Sequence, residues 1–209
     1  MQTTRTRRST RAALAVLAAG AALALAAVPS TAADGTSATD TPRFLEPAEL
    51  PPHATSLWYG SDVTAGQPEV PPLCVGDALP SISSHRLFWT DLDTTAVQVT
   101  VVEPDEQRAA AFAALLRKKL ADCAQTLMEQ YPDITATQKY YGKQLVEEGA
   151  EVFGVHTVGG WGASDINLLS VGRDGRTVTV VRWGQMGDFE QAQVGDFWAT
   201  TVRAVNKLY

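Results

Sequence analysis

Three side chains between residues 156 and 165 are of the types that a hydrolase uses. His156, Ser164 and Asp165 supply an imidazole, a hydroxyl and a carboxylate within a short stretch of chain. In a hydrolytic triad the imidazole takes the proton of the hydroxyl nucleophile, and the carboxylate orients the imidazole. Short polar loops also bring these residue types together where Ser and Asp cap a turn. A secreted hydrolase that uses this grouping is therefore the alternative function, and a capped turn is the favoured interpretation.

Other catalytic signatures are missing from the chain. The sequence contains no G-x-S-x-G nucleophile elbow, no H-E-x-x-H zinc motif, no P-loop and no EF-hand loop. An acidic group, Glu147, Glu148 and Glu151, leaves cation binding open, but it lacks the alternating ligand spacing of a calcium loop and favours a solvated hairpin tip. We therefore expect a protein that is not an enzyme and has no cofactor or metal site.

The string Gly159-Gly160-Trp161-Gly162 is the most unusual local feature. Three glycines remove side-chain bulk around one indole, so the loop can bring Trp161 to the edge of a sheet and present it to a partner. Packing of Trp161 on the sheet is the other interpretation, and the remaining four tryptophans all lie in segments with a predicted inward face. The candidate binding residues are Trp161, His156 and Asp165.

Hydrophobic periodicity predicts the elements that position these residues. Val97, Val99 and Val101 alternate with Gln98 and Thr100, as in a strand with one solvated face. A helix is predicted to begin at Pro104-Asp105-Glu106 and to end before Tyr131, and a last helix to begin near Asp188. The predicted strands are residues 85–92, 95–102, 134–146, 151–158, 165–172 and 177–184.

The order of these elements is two strands, a helix, four strands and a helix. Consecutive strands favour hairpins over parallel crossovers, and Asp174-Gly175 is a strong hairpin signal. The pattern predicts an α+β fold, a twisted antiparallel sheet of about six strands in the order ββαββββα. The two helices are expected to pack on one face of it.

Proline and cysteine define the segment that precedes the sheet. Eight of the eleven prolines lie between Pro42 and Pro80, which excludes a long helix or a central strand there and predicts an extended N-terminal wrap. The only cysteines are Cys74 and Cys123, the second on the buried face of the predicted helix. In an exported domain such a pair predicts a disulfide that holds the wrap on the body, with free thiols or a metal pair as the alternatives.

The N-terminus has the pattern of a signal peptide. Four arginines between Arg5 and Arg11 precede an uncharged apolar run over residues 12–28, and small residues follow up to Ala33. We expect residues 1–33 to be removed near Ala33, residues 34–43 to form a flexible leader and residues 44–209 to form one extracellular domain. A retained membrane anchor is the alternative, because the apolar run is short for a bilayer. The general secretory route is favoured over the twin-arginine route.

Charge limits the partners of the mature chain. From Asp34 onward there are 13 basic and 23 acidic residues, a net charge of -10. A domain this acidic repels phosphate backbones, which excludes nucleic acid as a partner in the absence of a basic face. The partners that remain are a small molecule or a component of the cell envelope or medium, and no transmembrane segment is expected in the mature chain. A protein–protein inhibitor or cell-surface adaptor is a further alternative function, and it would need a wide exposed apolar patch instead of a concave pocket.

The arrangement resembles the PknH-like extracellular sensor domains of actinobacteria. The resemblance covers about residues 44–209. It consists of the Leu57-Trp58-Tyr59 string, a Cys before the first strand pair, the helix with Cys123, the meander and the last helix. It implies a secreted, non-enzymatic domain of sensor-like fold that binds a ligand in a cleft. No kinase accompanies this chain, and no residue of the family's cleft transfers to it.

Overall fold

The computed structural model describes residues 41–209, and it confirms the α+β class. All of its strands join one antiparallel sheet of eight strands, and three α-helices pack on that sheet. The strands are β1 (Tyr59–Gly60), β2 (Thr64–Ala65), β3 (Ser84–Trp89), β4 (Thr95–Val102), β5 (Ile134–Gln144), β6 (Ala150–Gly159), β7 (Ser164–Asp174) and β8 (Thr177–Met186). The helices are α1 (Glu106–Ala121), α2 (Cys123–Gln130) and α3 (Val194–Asn206), and short 3-10 helices span Pro47–Glu49 and Gly76–Ala78.

The sheet is a meander extended by a second hairpin. Its order is β1-β3-β4-β8-β7-β6-β5, with β2 also paired to β3. The four consecutive strands β5 to β8 lie side by side as predicted, and Gly175 takes the left-handed φ of 51° that the turn between β7 and β8 requires. The two strands beyond the predicted six, β1 and β2, are two residues long and lie in the proline-rich segment.

The expectation that both helices pack on one face is wrong. We name the two sides by their helices: the α1 face carries Val155, Val171 and Val180, and the α3 face carries Ile166, Leu168 and Trp183. Helices α1 and α2 cover the first side and α3 covers the second. The reason is that β6, β7 and β8 have apolar residues at both alternating positions, so each side of the sheet must be covered.

The polar positions of β4 are buried rather than solvated. Gln98 is fully buried, and its side chain accepts a hydrogen bond from the backbone N–H of Leu45 and donates one to Thr179 Oγ1. Thr100 also contacts Thr179 through a hydrogen bond of 3.2 Å. The wrap therefore covers the side of β4 that the sequence pattern predicted to face solvent, and the buried polar groups have partners.

The proline-rich wrap passes around one edge of the sheet. Leu45 and Leu50 pack on the α3 face, β1 and β2 pair with the outer side of β3, and Val75 packs beneath α1. The Cys74–Cys123 disulfide, with its Cα atoms 5.5 Å apart, then ties the wrap to the start of α2. This confirms the predicted pairing, and the wrap shields an edge strand that would otherwise be open to association.

The predicted helix boundaries need two corrections. The helix after β4 begins as predicted, with Asp105 capping Arg108, but it breaks at Asp122 into α1 and α2. The last helix begins at Val194 and not near Asp188. Asp188 instead forms a turn, in which its backbone N–H donates to Gln191 and its carboxylate accepts from Glu190.

The predicted signal peptide, residues 1–33, lies outside the described residues, as does the predicted leader up to residue 40. At the start of the described chain, the backbone N–H of Arg43 donates to the carbonyl of Lys207 at 3.1 Å. Within residues 41–209, no helix is both long enough and apolar enough to cross a membrane.

Candidate functional site

The structure brings two of the three predicted triad residues together. His156 on β6 and Ser164 on β7 meet on the α3 face, with 2.8 Å between Nε2 and Oγ. Asp165 follows Ser164 directly in the same strand, so its side chain points to the opposite face, on the side of Asn167 and Leu169. The carboxylate therefore cannot orient the imidazole, and the three side chains do not form a triad.

The serine hydroxyl is also committed to another acceptor. Ser164 Oγ donates to the carbonyl of Gly187 at 3.1 Å, and because a hydroxyl has one proton it does not donate to His156 Nε2 while it makes that bond. The rings of His156 and Phe189 pack edge to face, with their centroids 5.7 Å apart. Lys139 Nζ lies 4.1 Å from the centroid of the Phe189 ring. This group of side chains holds the turn after β8 on the α3 face.

The acidic group is divided among separate partners. Glu148 accepts from the backbone N–H of Gly175, and Glu151 contacts Arg117 at 3.4 Å and Tyr140 at 3.2 Å. Burial and the nearby carboxylates of Glu147 and Glu148 raise the pKa of Asp174. Among residues 41–209, no three His, Cys, Asp or Glu side chains come together in a group that could hold a metal ion.

The remaining histidines hold local backbone. His53 Nδ1 accepts from the backbone N–H of Ser56 at 3.0 Å, and His85 Nδ1 lies 2.8 Å from the carbonyl of Gly66. Each contact fixes a turn of the wrap. These contacts give both residues structural roles.

Trp161 is exposed at the end of the sheet. It lies in the turn between β6 and β7 with 77% of its surface accessible, and Gly162 in that turn has a φ of 90°. A Cβ built on Gly159 would be 3.0 Å from the indole, and that position points to the α1 face. The indole therefore folds over the end of β6 on the same side as Asp165, and His156 lies on the other side.

An arginine that no sequence motif marks lies on the α1 face of the middle strand, β8. Arg182 on β8 donates from Nε to Asn167 Oδ1 and from Nη1 to Thr95 Oγ1, both at 2.8 Å. Burial lowers its pKa, and the nearby Asp165 opposes that shift. In the described part of the chain, no carboxylate lies within 4.0 Å of the guanidinium. Nη2 makes no hydrogen bond there and is not sealed from solvent.

Asp165 completes the polar part of this surface. It lies two residues before Asn167 on β7, so the two side chains are neighbours on the α1 face. Among residues 41–209, its carboxylate makes no hydrogen bond or ion pair, although it lies close enough to act on the pKa of Arg182. A positive and a negative group therefore lie near each other without forming an ion pair.

An aromatic rim borders these charges. Trp89 is the register partner of Thr95 and projects on the α1 face, where its ring stacks on Tyr59 at a centroid distance of 6.3 Å. Trp89 is 43% exposed, so the expectation that its strand position would bury it is wrong. The reason is that β3 lies near the sheet edge, and only the two-residue strand β1 flanks it there. We call Arg182, Asn167, Thr95, Asp165 and Trp89 the Arg182 site.

A cleft at the junction of the wrap with helices α1 and α2 is a second concave region. This cleft of about 660 Å³ lies between the wrap and α1–α2 beside Cys74. Lys119 and Asp77 face each other across it in an ion pair of 2.8 Å. Its charged side chains are thus partly paired with each other, in contrast to those of the Arg182 site.

No family model, curated protein or solved structure matches the chain. The geometry of the described residues is therefore the basis for assigning a function.

Proposed function

We propose that this chain is a secreted, non-enzymatic binding domain whose ligand docks on the Arg182 site. The single observation that carries the proposal is the pairing state of Arg182. Arg182 is half-buried and its guanidinium is held in one orientation by Asn167 and Thr95, yet it has no carboxylate partner within the described residues. A ligand that supplies the missing acceptor accounts for this arrangement.

Energetics favours this interpretation over a purely structural role. Withdrawing a charge from water is unfavourable unless hydrogen bonds and an opposite charge compensate for it. Arg182 has its hydrogen bonds, but Asp165 lies on the same face without closing the ion pair. Groups held apart in this way are arranged for a third component, as in preorganised binding sites.

Two further features support a secreted binding role. The Cys74–Cys123 disulfide is typical of proteins that work in oxidising surroundings. The resemblance to PknH-like sensor domains implies ligand binding on a domain of the same element order. Trp161 is exposed at the end of the same sheet face, where it can extend the contact surface for a ligand larger than the Arg182 site itself.

The hydrolase and the inhibitor or adaptor are the competing functions. The hydrolase is disfavoured because the carboxylate of Asp165 lies on the opposite face of the sheet from His156 and Ser164. Labelling of Ser164 by a fluorophosphonate would show a reactive serine and would contradict the binding proposal. An adaptor would need a wide apolar surface. Leu87, Trp89 and Tyr59 are exposed and apolar, but their surface is bordered by the charged groups of the Arg182 site.

Native mass spectrometry of protein taken from its own culture medium tests the proposal. We expect a small molecule to be released on denaturation from the wild-type protein but not from Arg182→Gln. Arg176→Gln is the matched control, because Arg176 is exposed in the turn at the opposite end of β8. Equal amounts of ligand on both variants would overturn the proposal. A bound protein instead of a small molecule would favour the adaptor.

A further inference from the structure

We infer that the ligand of the Arg182 site is a small zwitterion of the α-amino acid type with an apolar side chain. Its carboxylate would bind Arg182, its ammonium group would bind Asp165, and its side chain would lie on Trp89. The inference rests on the proposed function and names the chemical class of the ligand.

The carboxylate position follows from how the guanidinium is held. Asn167 and Thr95 take up Nε and one donor of Nη1, so the donors that remain lie on Nη1 and Nη2 at the end of the side chain. Two parallel N–H groups at this end match the two oxygens of a carboxylate. Gly184 beneath the guanidinium leaves no side chain to move it from this orientation.

The ammonium position follows from Asp165. Its carboxylate has no hydrogen-bond donor within residues 41–209 and lies beyond 4.0 Å from every guanidinium nitrogen of Arg182. It projects next to Asn167, one pleat along β7, and so borders the space that a carboxylate on Arg182 would occupy. An ammonium group attached to that carboxylate would reach Asp165 as a charged donor.

The charge balance of the site excludes simpler ligands. A plain anion on Arg182 would lie beside the Asp165 carboxylate, in a domain that has a net charge of -10 from residue 34 onward. A plain cation on Asp165 would lie beside the guanidinium. Like charges at short range oppose binding, so only a ligand with both charges is complementary to both groups.

The apolar part of the ligand follows from the rim. Trp89 is paired in register with Thr95, which holds Arg182, so the indole borders the charged groups. Its ring is stacked on Tyr59, and Leu87 on the same strand face is also exposed. A flat or branched apolar side chain would cover this rim and gain the free energy of aromatic burial.

Calorimetric titration with three probes tests the inference on the folded wild-type protein. The probes are L-phenylalanine, N-acetyl-L-phenylalanine, which lacks the positive charge, and L-phenylalanine methyl ester, which lacks the negative charge. We expect L-phenylalanine to bind about tenfold or more tightly than either derivative, since each derivative loses one charged hydrogen-bond pair. Asp165→Asn should remove the preference over the N-acetyl form, whereas Asp62→Asn, at an exposed aspartate of the wrap, should keep it.

Each other outcome has a defined meaning. Equal binding of L-phenylalanine and its N-acetyl form by the wild type would overturn the role of Asp165 and with it the zwitterion. Failure of all three probes, with a small molecule still recovered from the culture medium, would overturn the zwitterion and leave the proposed function standing. Failure of both measurements would overturn both. Where Arg182→Gln does not fold, Asp165→Asn decides the test.

Discussion

The guanidinium of Arg182 occupies the space that a side chain of residue 184 would fill. A Cβ built on Gly184 would lie 2.6 Å from Nη2 of Arg182 and 2.6 Å from Oδ1 of Asn167. Both distances are far inside van der Waals contact. Glycine inside a strand is unfavourable unless another group approaches the backbone closely, and here the arginine is that group. The space that the Arg182 guanidinium occupies therefore depends on the absence of a side chain at Gly184 in β8.

Gly184→Ala tests whether the space over Gly184 positions the guanidinium. The added methyl group should displace the guanidinium and the Asn167 amide, weaken their hydrogen bond, and lower the free energy of unfolding by about 1 to 2 kcal/mol. L-phenylalanine binding should be lost at the same time. Gly195→Ala is the control, because a Cβ at Gly195 in α3 meets nothing within 4 Å and should be neutral or slightly stabilising. Urea unfolding measures the change in stability and calorimetry measures binding. Full binding of L-phenylalanine by Gly184→Ala would mean that the space over Gly184 does not position Arg182 for the ligand.

Trp161→Ala should have little effect on stability. The indole is exposed, so we expect a change in the free energy of unfolding within about 0.5 kcal/mol, the range of ordinary surface substitutions. Trp183→Ala is the contrast. That indole is fully buried on the α3 face, and emptying its site should cost about 3 to 5 kcal/mol. A large loss of stability in Trp161→Ala would mean that the indole is a packing residue.

Removal of the disulfide should loosen the wrap before the sheet unfolds. The bond joins residues 49 positions apart, and the chain-entropy treatment assigns about 4 kcal/mol to a loop of that length. In Cys74→Ser/Cys123→Ser we expect limited proteolysis to cut first between residues 66 and 80. Thiol counting on denatured, non-reduced wild-type protein should find no free thiol. Two free thiols, or first cuts within β5 to β8, would contradict this prediction.

Acid should release the start of the wrap from α3. Burial raises the pKa of Glu49, but hydrogen bonds from Lys207 and from the backbone N–H of Glu46 outweigh that effect, and the net pKa lies below the ordinary value of a glutamate side chain. A depressed folded-state pKa gives stability that is complete above the unfolded-state pKa and is lost as the pH falls through the folded-state pKa. The hydrogen-exchange protection of residues 43–50, taken relative to the intrinsic rate at each pH, should therefore fall below about pH 4.5 in the wild type.

Glu49→Gln is the control for the acid effect. The neutral amide has no charge to lose in this pH range, so the protection of the same residues should start lower and change less with acid. Thr200, whose hydroxyl donates to the Glu49 carbonyl at 2.6 Å, keeps its contact in this variant. An unchanged acid response in Glu49→Gln would mean that another group controls the release.

Local pattern predicted the elements of the meander but not how the sheet is covered. The strand Thr95–Val102 has the predicted bounds, and the Asp-Gly turn lies where it was expected. The prediction that one face of β4 is exposed to solvent was wrong, because the backbone N–H of Leu45, 53 residues away in sequence, covers that face and donates to Gln98. Alternation shows which residues share a face, but it does not show what covers that face.

The candidate site was predictable only in part. Asp165 and Trp161 were selected from local composition, and both lie on the α1 face. Arg182 could have been noticed, because it follows Val178 and Val180 at alternating positions of β8, and the next residue of that alternation is Gly184. Its hydrogen-bond partners are 15 and 87 residues away, and such pairings depend on strand register, which no local pattern specifies.

Chemical-shift mapping with L-phenylalanine tests the central claim most directly, because it locates binding on the folded domain residue by residue. We predict that the shifts concentrate on the Nε–H signal of Arg182 and on the backbone N–H groups of Trp89, Thr95, Asp165 and Asn167. They should be absent in Arg182→Gln and present in Arg176→Gln. Shifts that instead cluster along the cleft beside Cys74 would contradict the assignment of the Arg182 site as the binding surface. No shifts at a high concentration of L-phenylalanine would contradict the zwitterion as its ligand.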